Sequence, residues 1–326
     1  MDFNQVLGHE KIIEILKRAI RNKTVSHSYI FEGEEGLGKK KIALIFAKTL
    51  LCKEQKEEPC NHCTSCMKFD SSNHPDLILI EPEKGLIKKG AIEELVKSVA
   101  MAPFESMRKV YIINDSHKMN LEAKNTLLKT LEEPPEYINI ILITSNINNL
   151  LPTIRSRCQS IKFYPVENKK IVDLLVNVYD KSIDEANFIA DFTRGSVGKS
   201  IELSTSDDFF NKREEIIRII DGIVKGDKSK ALSSIDFFNE NKDSIDEILD
   251  IFLIWFRDLI IYKETGKNEF IFNKDKIDFL RVHSFMEFTQ INDIIYKIQE
   301  TKDNINKNVN FQLSIETMLL KIQEEF

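Results

Sequence analysis

Residues 33–40, Gly-Glu-Glu-Gly-Leu-Gly-Lys-Lys, have the spacing of a phosphate-binding loop. In such a loop the backbone N–H groups surround the phosphates, and the lysine at the position of Lys39 contacts them directly. The next position usually carries Ser or Thr, whose hydroxyl binds Mg²⁺. Lys40 stands there instead, and an ammonium group cannot ligate a cation. The candidate phosphate-binding residues are therefore Gly33, Gly36, Gly38 and Lys39, in a loop that lacks its metal ligand.

The apolar run Val110 to Ile113 predicts a buried strand, and Asn114 follows it. A nucleotide hydrolase of this kind carries Asp-Glu after the strand, where the carboxylates organise Mg²⁺ and the attacking water. Changes at both Lys40 and Asn114 should remove hydrolysis more surely than binding. We therefore expect no ATP hydrolysis by this chain. Binding of ATP or ADP stays open, because the two glutamates of the loop add negative charge beside any phosphate.

Four cysteines lie close together in the sequence, at Cys52, Cys60, Cys63 and Cys66. Thiolates at this spacing are typical of tetrahedral zinc, and an iron–sulfur cluster is the next alternative because consecutive C-x-x-C spacings also suit one. Unligated thiols are the third. Since four cysteines fill the coordination of zinc, we expect a structural Zn²⁺ with no open position. The fifth cysteine, Cys158, stands apart, which indicates a packed rather than a reactive thiol.

The 326 residues carry a formal net charge of -6. Nucleic-acid binding depends on Lys and Arg that neutralise phosphates, so this balance argues against a chain that holds nucleic acid by itself. The first twenty residues lack the uninterrupted apolar core of a signal peptide, and the longest apolar stretch, Ile251 to Phe256, ends at Arg257. We expect a cytoplasmic protein that does not contact a membrane.

Short apolar runs alternate with helical patterns through the first half of the chain, which predicts a parallel sheet covered by helices. The predicted strands are Tyr29 to Phe31, Leu77 to Ile80, Val110 to Ile113, Ile140 to Thr144 and Ser160 to Phe163. The helical patterns cover Glu10 to Arg21, Lys39 to Leu51, Ala91 to Met101 and Ala123 to Leu131. These elements predict one α/β domain with a five-stranded parallel sheet over residues 1–165, and the cysteines form an insertion at 52–66.

After Pro165 the strand patterns nearly vanish. A short helical region predicts a small domain over residues 166–207, and helices continue to the end of the chain as an all-α domain over 208–326. One helix, Ile245 to Tyr262, is apolar on most of its circumference. Such a helix must be buried, and we expect it to be buried both inside the bundle and against another chain.

Two motifs resemble those of the ATPase subunits of bacterial clamp loaders. They are Asn120-x-x-Ala123-x-Asn125-x-Leu127-Leu128-Lys129-x-Leu131-Glu132-Glu133-Pro134-Pro135 and Thr153-Ile154-x-Ser156-Arg157-Cys158. The segments 6–10 and 27–31 and the four-cysteine insertion extend the match over the first half of the chain. Hydrolytic subunits of this family keep Ser or Thr in the loop, Asp-Glu after the strand and an arginine in the region of residues 195–198. With Lys40, Asn114 and Gly198, the chain is similar to the noncatalytic subunits.

The resemblance implies an AAA+ domain, a helical lid and a C-terminal collar that helps to build a hetero-pentameric ring. It also implies a role in the DNA polymerase III holoenzyme, where such a ring opens the sliding clamp and loads it at primed DNA. Arg157 would then be an arginine finger that completes the ATP site of the adjacent hydrolytic subunit. Two alternatives stay open: a catalytically active ATPase subunit of the same family, and a zinc-knuckle module that binds nucleic acid.

Overall fold

The computed structural model describes residues 1–226 and 233–325. They divide into two compact units, Met1–Asp173 with Thr193–Ser200, and Leu174–Phe192 with the described part of Ile201–Phe326. The predicted all-α range 208–326 contains residues 227–232 and Phe326, which lie outside the described residues. The division into three domains stays a prediction.

Five parallel strands form the sheet of the first unit, in the order β2-β3-β4-β1-β5. The strands are β1 (Ser28–Glu32), β2 (Leu77–Ile80), β3 (Lys109–Ile113), β4 (Ile138–Thr144) and β5 (Gln159–Lys162). Each lies within two residues of its predicted position. Parallel strands are buried on both faces and therefore read as continuous apolar runs, and every residue of β4 is buried. The predicted α/β architecture is confirmed.

Helices lie before and between these strands. They are α1 (Glu10–Arg21), α2 (Lys39–Leu51), α3 (Thr64–Asp70), α4 (Lys89–Val99), α5 (Leu121–Glu132) and α6 (Pro152–Arg155). The bounds of α1 and α2 agree with the prediction, and those of α4 and α5 differ from it by two residues at most. Helix α3 was not predicted, because its seven residues are too few for a periodic pattern to emerge.

The sheet buries a hydrophobic layer on each face. Because successive side chains of a strand point to opposite faces, β1 contributes to both layers. Phe31 packs in the layer that contains Phe46 of α2, whereas Ile30 packs in the layer that contains Leu127 of α5. The sheet therefore has its own core on both sides, which fixes the strand ends that carry the candidate site.

The loop of residues 33–38 leaves the carboxyl end of β1, which lies between β4 and β5 in this sheet. The backbone N–H of Gly33 donates to the carbonyl oxygen of Thr144, the last residue of the neighbouring strand β4, at 3.2 Å. Ligands of parallel α/β sheets bind in the crevice outside the carboxyl ends of the strands, at the point where the strand order reverses. The candidate phosphate-binding loop lies at that point.

The helices after β5 are α7 (Asn168–Tyr179), α8 (Ile183–Thr193), α9 (Val197–Thr205), α10 (Asp207–Val224), α11 (Ile235–Glu240), α12 (Ile245–Thr265), α13 (Ile277–His283), α14 (Phe288–Asn306) and α15 (Phe311–Glu324). Helix α12 is the predicted apolar helix, and it contacts α10, α13 and α14. Its Phe252, Trp255 and Leu259 are buried among them. Burial inside the bundle is therefore confirmed, and burial against another chain stays a prediction. Along the described ranges, no helix is both long and apolar enough to cross a membrane.

Candidate functional site

The candidate phosphate-binding loop joins β1 to α2, which is the strand-loop-helix context that its pattern requires. Gly36 has a φ of +77° and Gly38 a φ of +85°, a left-handed conformation that glycine adopts without steric cost. Two of the predicted loop residues therefore have backbone conformations that favour glycine, and phosphate binding by the loop stays a prediction.

The ammonium group of Lys39 is bound by its own loop. Its Nζ donates to the carbonyl oxygen of Gly33 at 2.6 Å and also to the carbonyl oxygen of Glu34. The residue is only 7% exposed, and burial lowers the pKa of Lys39. Two of the three N–H groups of this ammonium are therefore committed to the backbone, and any phosphate would have to compete with them.

The ammonium group of Lys40 is paired with a carboxylate. Its Nζ lies 2.7 Å from Oε1 of Glu81, the residue that follows β2. Asn114 follows the neighbouring strand β3, and its Nδ2 lies 3.5 Å from the same oxygen. Hydrolases of this type hold Mg²⁺ beside these strand ends. Here the carboxylate already accepts from an ammonium, so the residues present do not fit a Mg²⁺ ion.

A segment before and within α9 packs directly on the loop, and it belongs to the same compact unit. The backbone N–H of Gly198 donates to the carbonyl oxygen of Gly36 at 2.9 Å, and Oγ of Ser196 donates to that of Glu35 at 3.3 Å. From the other direction, Nε2 of His9 lies 2.8 Å from the carbonyl oxygen of Leu37. The carbonyl groups of the loop are thus hydrogen-bonded to neighbouring residues, and these bonds hold the loop in position.

Arg157 lies beside the amino end of β1, opposite the end that carries the phosphate-binding loop. Its carbonyl oxygen accepts from Oγ of Ser28, the first residue of β1, at 2.9 Å, whereas the phosphate-binding loop follows Glu32, the last residue of β1. A strand of this length spans about 13 Å, which separates Arg157 from the loop of its own chain. Nη1 of its guanidinium donates to the carbonyl oxygen of Thr153 at 2.9 Å and to Oγ of Ser156 at 3.5 Å, and Nη2 lies 2.9 Å from Oε1 of Glu132.

The four cysteines of the insertion come together. Their Sγ atoms all lie within 4.8 Å of one another, and those of Cys60 and Cys66 are 3.9 Å apart. A tetrahedral zinc at about 2.3 Å from each sulfur requires sulfur–sulfur distances of about 3.8 Å. The backbone N–H groups of Cys60, Cys63 and Cys66 donate to Sγ of Cys52, Cys60 and Cys63, respectively. The donor set and its spacing fit a tetrahedral metal ion.

Backbone donors also change the acidity of these thiols. Burial opposes a charge on Cys63, but hydrogen bonds from the backbone N–H groups of Cys66 and Lys53 outweigh it and lower the pKa of Cys63 to about 6. Burial raises the pKa of Cys60 and of Cys66. The thiolate is the form that binds a metal, so a cation at the centre of the cluster would favour the charged form of each sulfur.

Polar contacts attach the insertion and α3 to α2. Nζ of the buried Lys48, on α2, donates to Oδ1 of Asn61 at 2.6 Å and to Oδ2 of Asp70 at 2.7 Å. Oγ of Ser65 donates to the carbonyl oxygen of Leu51 at 2.6 Å. These attachments do not involve the cysteine sulfurs, so the position of the insertion does not depend on a metal alone.

Two protein-family models match the chain. The family described as DNA polymerase III, delta subunit, matches residues 8–167, and DNA polymerase III, delta subunit, C terminal, matches residues 207–324. The DNA polymerase III subunit delta' of Bacillus subtilis (strain 168) is 34% identical over 320 residues, which cover 96% of each chain. The chain belongs to the delta' family of DNA polymerase III clamp-loader subunits. The first model covers all five strands of the first unit, and the second covers helices α10 to α15, so the C-terminal part is helical, as expected.

Other relatives are also named as subunits of DNA polymerase III or as related to one. DNA polymerase III subunit tau of Bacillus subtilis (strain 168) is 31% identical over 301 residues, which cover 85% of this chain and 53% of tau. A solved structure of a DNA polymerase III gamma subunit-related protein from Thermotoga maritima covers 96% of this chain and 99% of its own, with 19% identity and a TM-score of 0.46.

Two carboxylates of this delta' family member were not selected from the sequence. Glu81 pairs with Lys40, and Glu132 pairs with Arg157. Glu81 follows a predicted strand, and a polar residue at the carboxyl end of a parallel strand is the signal that could have identified it. Glu132 lies inside the motif that carried the family resemblance. Its contact is made across 25 positions of sequence, which no local pattern displays.

Proposed function

We propose that this chain is a noncatalytic subunit of the clamp loader, which contributes Arg157 to the ATP site of a neighbouring hydrolytic subunit. The observation that carries this proposal is the separation of Arg157 from its own loop by the length of β1. An arginine at that edge is out of reach of a nucleotide in the same chain, but it is exposed to a neighbour. There its guanidinium would donate to charge that grows on the transferring phosphoryl group.

The state of the chain's own loop supports the noncatalytic part of this proposal. Lys39 donates to the loop carbonyls, and Lys40 pairs with Glu81 where a metal would be required. Neither ammonium is free to organise Mg²⁺ and a phosphoryl group together. The subunit therefore does not hydrolyse ATP, and the catalytic chemistry belongs to its neighbours.

The proposed partners are the other loader subunits in a hetero-pentameric ring. Family membership supports this assembly, because the relatives are DNA polymerase III subunits. In the ring, residues 1–165 carry the AAA+ domain with Arg157, residues 166–207 form a lid, and residues 208–326 form the collar. The ring binds the sliding clamp and loads it at primed DNA in the cytoplasm.

We further propose that Cys52, Cys60, Cys63 and Cys66 hold one structural Zn²⁺. When bound, the ion would cross-link the two ends of the insertion and hold four thiolates at one point. The cysteine residues fill its coordination, so no position is left for a substrate. The backbone N–H donors to sulfur orient the thiolates before the metal binds.

The decisive experiment is reconstitution of the complete loader with wild-type chain or with Arg157→Ala. The Arg157→Ala loader should assemble normally, and it should show reduced ATPase stimulated by clamp and DNA and slower clamp loading. Normal loading by the assembled variant complex would contradict the proposal. Steady ATP turnover by the purified chain alone would instead favour an active ATPase subunit, and tight salt-dependent DNA binding by the chain alone would favour a zinc-knuckle module.

A further inference from the structure

Helix α5 ends beside Arg157, and its last residue supplies the carboxylate that contacts the guanidinium. Oε1 of Glu132 lies 2.9 Å from Nη2 of Arg157. The backbone N–H of Glu133 still closes the last turn of the helix by donating to the carbonyl oxygen of Lys129 at 3.2 Å, and Glu133 then leaves helical geometry with φ -126° and ψ 65°. Pro134 enforces this exit, because the residue before a proline avoids helical geometry. The motif around Glu132 therefore fixes where its carboxylate stands.

The position of Arg157, the other member of this ion pair, is also fixed. Ile154 of α6 is fully buried, which holds the short helix that precedes Arg157. Oγ of Ser28 donates to the carbonyl oxygen of Arg157, and Nη1 of Arg157 donates to the carbonyl oxygen of Thr153. The carboxylate of Glu132 then sets the direction of the guanidinium. Backbone and side chain are thus held by residues from β1, α5 and α6.

The contacts leave part of the guanidinium free to act. An arginine has five N–H groups. The contacts with Thr153 and Ser156 use the two on Nη1, and the contact with Glu132 uses one of the two on Nη2. Among the residues that the structure describes, the N–H on Nε and the second N–H on Nη2 have no acceptor, and the side chain is 35% exposed. A guanidinium in this state can still donate two bonds to an anion while the carboxylate holds its other side.

We propose that Glu132 is a positioning residue for Arg157, and that it holds the arginine in the direction required by the neighbour's nucleotide. This inference rests on the proposed function, because it assumes that Arg157 acts in a neighbouring ATP site. A free arginine side chain loses much conformational freedom when it is fixed, and that cost would fall on the transition state. The ion pair fixes the side chain during folding, so this conformational entropy is lost before the reaction begins. An exposed ion pair adds little to stability, so its contribution is to the reaction rather than to the fold.

The test uses the reconstituted loader with six versions of this chain: wild type, Glu132→Ala, Glu132→Gln, Arg157→Ala, Glu132→Ala with Arg157→Ala, and Glu133→Gln. Glu133→Gln is the matched control, because it removes an exposed carboxylate from the adjacent position. We expect Glu132→Ala to lower kcat of the clamp- and DNA-stimulated ATPase by about threefold to tenfold without changing KM for ATP. Glu132→Gln should lose less, because its amide oxygen can still accept from Nη2. Glu133→Gln should match wild type.

The double variant separates positioning from any other role. If Glu132 acts through Arg157, its removal should cost nothing more once Arg157 is gone. A further loss in the double variant would overturn the inference, and so would an unchanged or faster rate for an assembled Glu132→Ala loader. A faster rate would mean that the carboxylate withholds the arginine. If Glu132→Ala does not assemble, Glu132→Gln decides by the same criteria. If Arg157→Ala itself loads clamps normally, the proposed function fails first, which is a distinguishable result.

Discussion

Ser196 stands directly over Gly36 in the phosphate-binding loop. A Cβ atom added to Gly36 would lie 2.0 Å from Oγ of Ser196, which also donates a hydrogen bond to the carbonyl oxygen of Glu35. Gly38 has a similar positive φ, but a Cβ atom there would meet nothing within 4 Å. The two glycines therefore separate the effect of backbone conformation from the effect of crowding.

We predict that Gly36→Ala destabilises the chain more than Gly38→Ala does. The left-handed conformation alone should cost roughly 1 to 2 kcal/mol at Gly38. Gly36→Ala should cost about 1 to 3 kcal/mol more, because Ser196 must move and lose its hydrogen bond. Urea unfolding followed by circular dichroism measures both. In a Ser196→Ala background the two costs should become similar, and a persistent difference would show that crowding by Ser196 is not the cause.

Purified wild-type chain should contain one zinc ion, and Cys60→Ser should lose most of it because a hydroxyl is a poor replacement for a thiolate. Cys158→Ser is the control, since Cys158 lies outside the cluster and should leave the zinc content unchanged. Elemental analysis measures the zinc content of the wild type and of both variants. We expect the sheet to stay folded in Cys60→Ser, because it has its own core. Iron in place of zinc, or no metal in the wild type, would show that the assignment is wrong.

Restoring the loop hydroxyl should not restore catalysis. Lys40→Thr frees Glu81 and supplies a Mg²⁺ ligand, but Asn114 still lacks a carboxylate and the neighbour's arginine is absent in the isolated chain. We expect no multiple-turnover phosphate release above that of the Lys39→Ala control. Steady release by wild type or by Lys40→Thr that disappears in a Lys39→Ala background would contradict this expectation.

Lysine should replace Arg157 poorly. An ammonium group carries the same charge, but it cannot donate to Thr153, Glu132 and a phosphate in the planar arrangement of a guanidinium. We expect the Arg157→Lys loader to keep an ATPase rate close to that of Arg157→Ala, even though it assembles normally. Arg155→Lys makes the same chemical change two positions away and should retain the wild-type rate. Full activity of the Arg157→Lys loader would mean that charge alone is sufficient.

His283 should make the second unit less stable in mild acid. Its Nδ1 accepts from the indole N–H of Trp255 at 3.3 Å, and its Nε2 lies 3.2 Å from Oδ1 of Asp221, which also pairs with Lys225. Burial lowers the pKa of His283 below its usual value of 6.5 despite the carboxylate. Below about pH 6.5 the unfolded chain binds a proton that the folded chain does not, so the free energy of unfolding should fall and then level off below the folded pKa.

Trp255 is the only tryptophan of the chain, so its fluorescence reports unfolding of this region directly. His283→Gln keeps an acceptor for the indole and a donor for Asp221, but it does not titrate. The variant should therefore show a smaller loss of stability between pH 7 and pH 5 than the wild type. Equal losses in the two proteins would assign the pH dependence to other groups.

The sequence predicted the sheet well because buried parallel strands are displayed as apolar runs, as at Ile140 to Thr144 within β4. The residues that it selected by local spacing lie in a loop between β1 and α2 and in one cluster of four cysteines, and their binding roles stay predictions. Contacts between distant positions were not available to such reasoning. The pairing of Lys40 with Glu81 joins the ends of different elements, and so does the pairing of Arg157 with Glu132. Helix α3 was too short to produce a periodic signal.

The bonds from Lys39 to its own loop bear on how the subunit behaves as cellular energy supply changes. In the proposed function, a loop held by its own side chain would keep a conformation set by the polypeptide and not by the ratio of ATP to ADP. In the proposed ring, the hydrolytic neighbours follow that ratio. This subunit would present the same arginine surface in a starved cell and in a growing one, so changes in loading rate would arise only from the nucleotides that its neighbours hold.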